Sequence, residues 1–82
     1  MDARAAYDIT VTRTGRAPGR LVGDLRVDHI EVLDTAELEV VLFWDVPARA
    51  TQRIEAELRA DLDRLDADEF FARWAAFDVD DV

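Results

Sequence analysis

Three arginines near the start of the chain are the residues best suited to bind an anion. Arg13, Arg16 and Arg20 bracket Gly15 and Gly19. Guanidinium groups beside flexible backbone hold phosphates or carboxylates through paired hydrogen bonds. The segment lacks the Gly-Lys-Ser/Thr ending of the phosphate-binding loop of nucleotide hydrolases. Anion binding is therefore one interpretation, and ion pairing with acids of the same chain or of a partner chain is the other.

His29 is the only histidine, and its ordinary pKa makes it the only side chain expected to change charge near neutral pH. It follows Asp28, so a carboxylate adjoins a potential base or metal ligand. The chain contains no second histidine and no cysteine, so a transition-metal site would depend on carboxylates. We favour a histidine on a strand edge without a catalytic or metal-binding role.

The residue types that are missing exclude two classes of enzyme. Serine and cysteine are absent, which excludes Ser/His/Asp and Cys/His hydrolases. Paired carboxylates are frequent, but glycosidase chemistry needs two carboxyls facing each other across a cleft. The pattern instead places the acids on helix surfaces, in a cap and in a tail, at Asp61/Asp63, Asp66/Asp68 and Asp78/Asp80/Asp81. We expect a non-enzymatic protein with no catalytic residue, no metal and no cofactor.

The aromatic residues are too numerous for a thin core to bury easily. Six large rings lie between positions 43 and 77. Such a surplus predicts a core that continues into a subunit interface, and a ligand pocket is the alternative. The candidate interface residues are Val41, Phe43, Phe70, Phe71, Trp74 and Phe77.

The charge of the chain is strongly negative and unevenly distributed. Nineteen acids and ten bases, all of them arginines, give a formal net charge of −9. Residues 1–30 hold five arginines and four acids (+1), whereas residues 31–82 hold five arginines and fifteen acids (−10). This lysine-free, acidic composition resembles that of halophilic proteins, and a decoy that imitates nucleic-acid phosphates is the alternative. We expect no binding to DNA or RNA, because phosphate contacts require clustered positive charge.

A halophilic surface makes stability depend on salt. The Debye length grows from ~3 Å at 1 M to ~10 Å at 0.1 M ionic strength, so dilution exposes surface acids to mutual repulsion. We expect a higher melting temperature in 3 M KCl than in 0.1 M KCl, measured by circular dichroism. An equally concentrated neutral osmolyte controls for the general strengthening of apolar burial. Equal midpoints at the two salt concentrations would rule out halophily.

Hydrophobic periodicity predicts three strands ahead of two helices. Residues 7–14 alternate apolar and polar side chains, as a half-buried strand does. Residues 21–33 form a second strand whose apolar phase changes, which predicts a β-bulge near Asp28 and His29. Residues 37–45 form the third strand, with Val41 and Phe43 on the face left uncovered by the helices. The short connections imply an antiparallel meander.

The second half of the chain has helical spacing. Pro47 is suited to the first turn of a helix. Asp66 and Glu69 form a capping-box pattern that starts another helix. The first helix carries one apolar stripe, Ile54, Leu58, Leu62 and Leu65. The order β-β-β-α-α predicts an α+β fold in which two helices pack on one face of a three-stranded antiparallel sheet.

The length of the chain predicts a single domain over residues 1–82, with residues 78–82 as a frayed acidic tail. The longest apolar run, residues 40–44, is too short to cross a bilayer, and the first residues lack the apolar stretch of a signal peptide. We therefore expect a cytoplasmic protein without membrane contact.

The favoured function is protein–protein contact in a regulatory or accessory role, as a homodimer and with a further protein as a potential partner. The alternative is a small module that recognises an anionic metabolite through Arg13, Arg16 and Arg20.

Overall fold

The computed structural model describes residues 1–13 and 27–79 and confirms the α+β fold. The strands form one antiparallel sheet of order β1-β2-β3, and α2 and α3 follow them along the chain. The elements are α1 (Ala3–Ala6), β1 (Tyr7–Thr12), β2 (Val27–Asp34), β3 (Glu39–Pro47), α2 (Ala48–Arg64) and α3 (Ala67–Ala75). The short helix α1 is an addition to the predicted order.

Strand β1 shows the alternation that its sequence predicts. Tyr7, Ile9 and Val11 pack on the core, while the intervening side chains are exposed. The strand pairs with β2 from Tyr7↔Asp34 to Thr12↔His29. Period-two alternation thus assigns one face of the sheet to the core and the opposite face to water.

The predicted bulge near Asp28 and His29 in β2 is wrong. Residues 27–32 pair with β3 without a shift in register, and the buried residues of β2 are Asp28, Ile30 and Val32. The phase change inferred from apolar residues disappears because Asp28, a carboxylate, occupies an inward position. The residues predicted for the start of this strand, 21–26, lie outside the described part of the chain.

The irregularity in the sheet lies instead in β3. Val32 pairs with Leu42 and Leu33 pairs with Val40, so Val41 is the extra residue of a β-bulge. The bulge shifts the side-chain phase, and Val41 packs on the core whereas Val40 is 44% exposed. The prediction that Val41 shares the uncovered face with Phe43 is therefore wrong, because one added residue reverses which side a strand position faces.

Helix α2 buries the stripe that its spacing predicts, and the start of α3 has the predicted cap. Ile54, Leu58 and Leu62 are buried on α2, and Leu65 packs against the same core. The capping box is confirmed: the Glu69 N–H donates to Asp66 Oδ1 at 2.9 Å, and the Asp66 N–H donates to Glu69 Oε1 at 3.2 Å. The N–H groups of Asp66 and Glu69, which have no partner within the helix, are thereby satisfied.

The first residues of the chain stabilise the junction between α2 and α3. The Ala3 N–H donates to the Leu65 carbonyl at 3.1 Å, and the Ala67 N–H donates to the Met1 carbonyl at 2.8 Å. Ala3 itself is fully buried, so only a small side chain fits at this contact. At the other end of the chain, Val79 packs on the core, and residues 80–82 of the predicted tail lie outside the described part.

Candidate functional site

The sheet has an outer face, turned away from the core, that three rungs of paired residues define. Side chains of directly paired residues lie on the same face. The rungs are Asp8–Leu33–Val40, Thr10–Glu31–Phe43 and Thr12–His29–Asp45. The largest side chain on this face is Phe43, which is 51% exposed. Together with the exposed Val40, Phe43 gives the outer face an apolar strip along β3.

His29 and its neighbours form the polar part of the outer face. The Nδ1 atom of His29 lies 2.6 Å from Asp45 Oδ1, and because a carboxylate can only accept, Nδ1–H is the donor. The imidazole ring also stacks on Phe43, with ring centroids 5.5 Å apart. The prediction of a strand-edge histidine is wrong, since β2 is the central strand and pairs on both sides. The two contacts fix the ring against β3.

The six candidate interface residues divide into a buried and an exposed group. Phe70 and Trp74 are 0% and 2% exposed, so both belong to the core of the single chain. Phe77 is half-buried, with its ring centroid 5.0 Å from that of Trp74. Phe71 is 37% exposed and stacks on Tyr7 at 6.3 Å. With Val41 also packed on the core, Phe43 and Phe71 are the two candidates that present a substantial apolar surface.

The arginine candidates for anion binding are only partly described. Arg13 Nη1 lies 3.7 Å from Asp28 Oδ2, and Arg13 Nη2 lies 3.4 Å from Glu55 Oε1. Arg16 and Arg20 lie outside the described residues. The guanidinium group of Arg13 therefore contacts acids of its own chain. This contact agrees with the second interpretation of these arginines, in which they form ion pairs rather than bind an anion.

Asp28 is fully buried at the same end of the sheet. Its Oδ2 accepts a hydrogen bond from the Thr51 hydroxyl at 2.7 Å. Thr51, also fully buried, comes from the first turns of α2, so this bond joins the helix to the sheet. A carboxylate is tolerated at an inward position because a buried polar group costs little once it is paired.

A second buried carboxylate, Asp61, joins α2 to α3. Its oxygens lie 2.6 Å from Arg64 Nη2 and 2.9 Å from Arg73 Nε, and they accept a hydrogen bond of 3.0 Å from Trp74 Nε1. The Asp61 side chain is only 7% exposed. The prediction that Asp61 is solvated like Asp63 is therefore wrong. Trp74 is the residue that could have indicated this contact, because the N–H of a buried tryptophan needs an acceptor.

The hydroxyl of Tyr7 is a weak candidate for a catalytic base. Burial, followed in size by the charges of Asp34 and Asp68, raises the pKa of the Tyr7 hydroxyl above its ordinary value of 10.0. A raised pKa keeps Tyr7 protonated and makes it a poor base at neutral pH. Within residues 1–13 and 27–79, no three His, Asp or Glu side chains are grouped so as to hold a metal ion.

Two further observations bear on function. No helix in the described ranges is both long and apolar enough to cross a membrane. Comparison with protein-family models, with curated proteins and with solved structures found no match to this chain, so its function has to be inferred from its own residues.

Proposed function

We propose that this domain is a non-enzymatic protein that acts through protein–protein contact, as a homodimer joined by the outer face of the sheet. The observation that carries the proposal is Phe43, a large ring 51% exposed on a face opposite the helices. Val40 on the same strand extends the apolar strip. A second copy would cover both residues, most simply around a two-fold axis in which the same patch meets itself.

The distribution of charge makes contact between two copies through this face depend on salt. Three of the 19 acids, Asp8, Glu31 and Asp45, lie on the three rungs, and Asp45 is hydrogen-bonded to His29. The exposed surfaces of α2 and α3 carry acids as well, including Glu57, Asp63, Asp68 and Glu69, but five exposed arginines accompany them, whereas no arginine lies on the three rungs. Two copies that meet through the sheet therefore bring the acids of the rungs together, and we expect the dimer to form more readily in high salt, which screens the repulsion.

The small apolar strip predicts a weak dimer. Stable interfaces bury about 800 Å² on each partner, and the outer face offers one large exposed ring and one exposed valine as its apolar contacts on β3. We expect a dissociation constant in the micromolar range, roughly 1–100 μM, which suits a regulatory or accessory contact that forms and dissociates.

We expect sedimentation equilibrium in high salt to give twice the 9.3 kDa chain mass at concentrations well above this range. Phe43→Asp should produce a folded monomer, because the contact would have to bury an unpaired charge. Phe71→Asp is the matched control: it makes the same change at another exposed phenylalanine, on α3, and should leave the dimer intact.

Two results would overturn the proposal. One is a wild-type mass of a single chain at several hundred micromolar protein. The other is dissociation by Phe71→Asp with no effect of Phe43→Asp, which would move the contact from the sheet to α3. Circular dichroism of each variant separates loss of the dimer from loss of the fold.

A further inference from the structure

Two arginines differ from the others in their partners. Among the seven arginines in the described ranges, Arg49 and Arg53 are the two that form no ion pair with a carboxylate. Both are exposed on α2. Glu57 lies one turn after Arg53 but does not form an ion pair with it. In a chain of 19 acids and ten arginines, two unpaired guanidinium groups on one helix face require an explanation.

The immediate neighbours of Arg49 and Arg53 on α2 disfavour positive charge at these positions, although the net charge of the chain is negative. The two arginines are four residues apart, so their like charges face each other on one side of the helix. Arg49 also lies in the first turn, where the helix dipole is positive and no acidic residue compensates its charge. Local rules favour acids at these positions, and such conflicts are typical of functional sites.

A cavity lies between the same two side chains. Its volume is about 280 Å³, and Pro47, Arg49, Ala50 and Arg53 line it. This volume is just below the ~300 Å³ at which pockets for drug-sized ligands begin, so the cavity suits a small ligand. The start of a helix would not by itself make a site. Here two guanidinium groups that form no ion pair within the described residues line one cavity.

We propose that Arg49 and Arg53 bind a small phosphate-bearing anion in this cavity. A phosphate group carries about −1.5 to −2 charges at neutral pH, which matches two guanidinium groups. Its oxygens accept the paired N–H donors that each guanidinium presents. A long polyanion would instead be repelled by the net charge of −9, so the ligand is a small molecule. The same repulsion also weakens the binding of a small anion, so we expect a low affinity.

The test is a calorimetric titration with inorganic phosphate and, separately, pyrophosphate, at a fixed KCl concentration in which the chain is folded. We expect saturable binding of at least one of them. The double variant Arg49→Gln/Arg53→Gln should weaken this binding at least tenfold. The matched control is Arg4→Gln/Arg59→Gln, which removes two charges from exposed ion pairs elsewhere and should change the affinity less than twofold.

A second readout needs no ligand. Arg49→Gln/Arg53→Gln should have a higher melting temperature than the control Arg4→Gln/Arg59→Gln, because both variants have the same net charge but only the control loses ion pairs among the described residues. The proposal is overturned if neither phosphate nor pyrophosphate binds above the chloride background, or if the control variant loses as much affinity. A loss of the dimer in Arg49→Gln/Arg53→Gln would also overturn it, because these arginines would then serve the contact between copies.

Discussion

Replacing Phe70 with alanine is expected to lower the free energy of unfolding by about 3–5 kcal/mol, the usual cost of truncating a buried phenylalanine. Phe70 is fully buried on α3, and its ring stacks on Tyr7 with centroids 5.6 Å apart. Domains are stable by roughly 0.05–0.15 kcal/mol per residue, so this loss is a large share of the total. Urea denaturation followed by circular dichroism measures the effect.

The neighbouring residue provides the control for Phe70. Phe71→Ala should cost clearly less, about 1 kcal/mol, because a side chain that is 37% exposed leaves no closed cavity when it is shortened. If Phe70→Ala is too unstable to measure, Phe70→Leu keeps most of the buried volume and allows the comparison. Equal losses at Phe70 and Phe71 would contradict the assignment of Phe70 to the core.

Replacing Asp61 with alanine is expected to cost about 2–3 kcal/mol. The change removes the acceptor of the buried Trp74 N–H and separates Arg64 and Arg73 from their shared carboxylate. The cost stays below that of a fully buried ion pair, because both arginine side chains are more than half exposed and remain hydrated.

Asp63 is the matched control for Asp61, two residues along the same helix. It forms one exposed ion pair with Arg4 at 3.4 Å, and such pairs contribute at most about 1 kcal/mol. Thermal or urea unfolding of Asp61→Ala and Asp63→Ala should therefore give clearly different midpoints. A loss at Asp63 that equals the loss at Asp61 would show that the Asp61 contacts do not stabilise the α2–α3 junction.

The contrast between these two acids shows where sequence reasoning stops. Asp61 and Asp63 are the same residue type in the same helix, and both lie close to arginines in the chain. Only Trp74 and Arg73, which come from α3, make Asp61 a buried acceptor. The same holds for Asp28, whose buried partner Thr51 lies 23 residues away. A residue pattern cannot reveal a partner that another element supplies.

Local signals in the sequence were sufficient to predict the class of fold and the order of the three strands, α2 and α3, because period-two and helical spacing, Pro47 and the Asp66/Glu69 cap do not depend on distant residues. The contacts between side chains, in contrast, depend on how these elements pack. The bulge at Val41 depends on how β2 and β3 pair. It places Val40 on the outer face and turns Val41 towards the core. Packing likewise buried Phe70 and left the neighbouring Phe71 exposed. Among the described residues it also left Arg49 and Arg53 without an ion pair. The physical reason is that spacing fixes the direction of each side chain relative to its own element, whereas burial and pairing depend on the elements that pack against it.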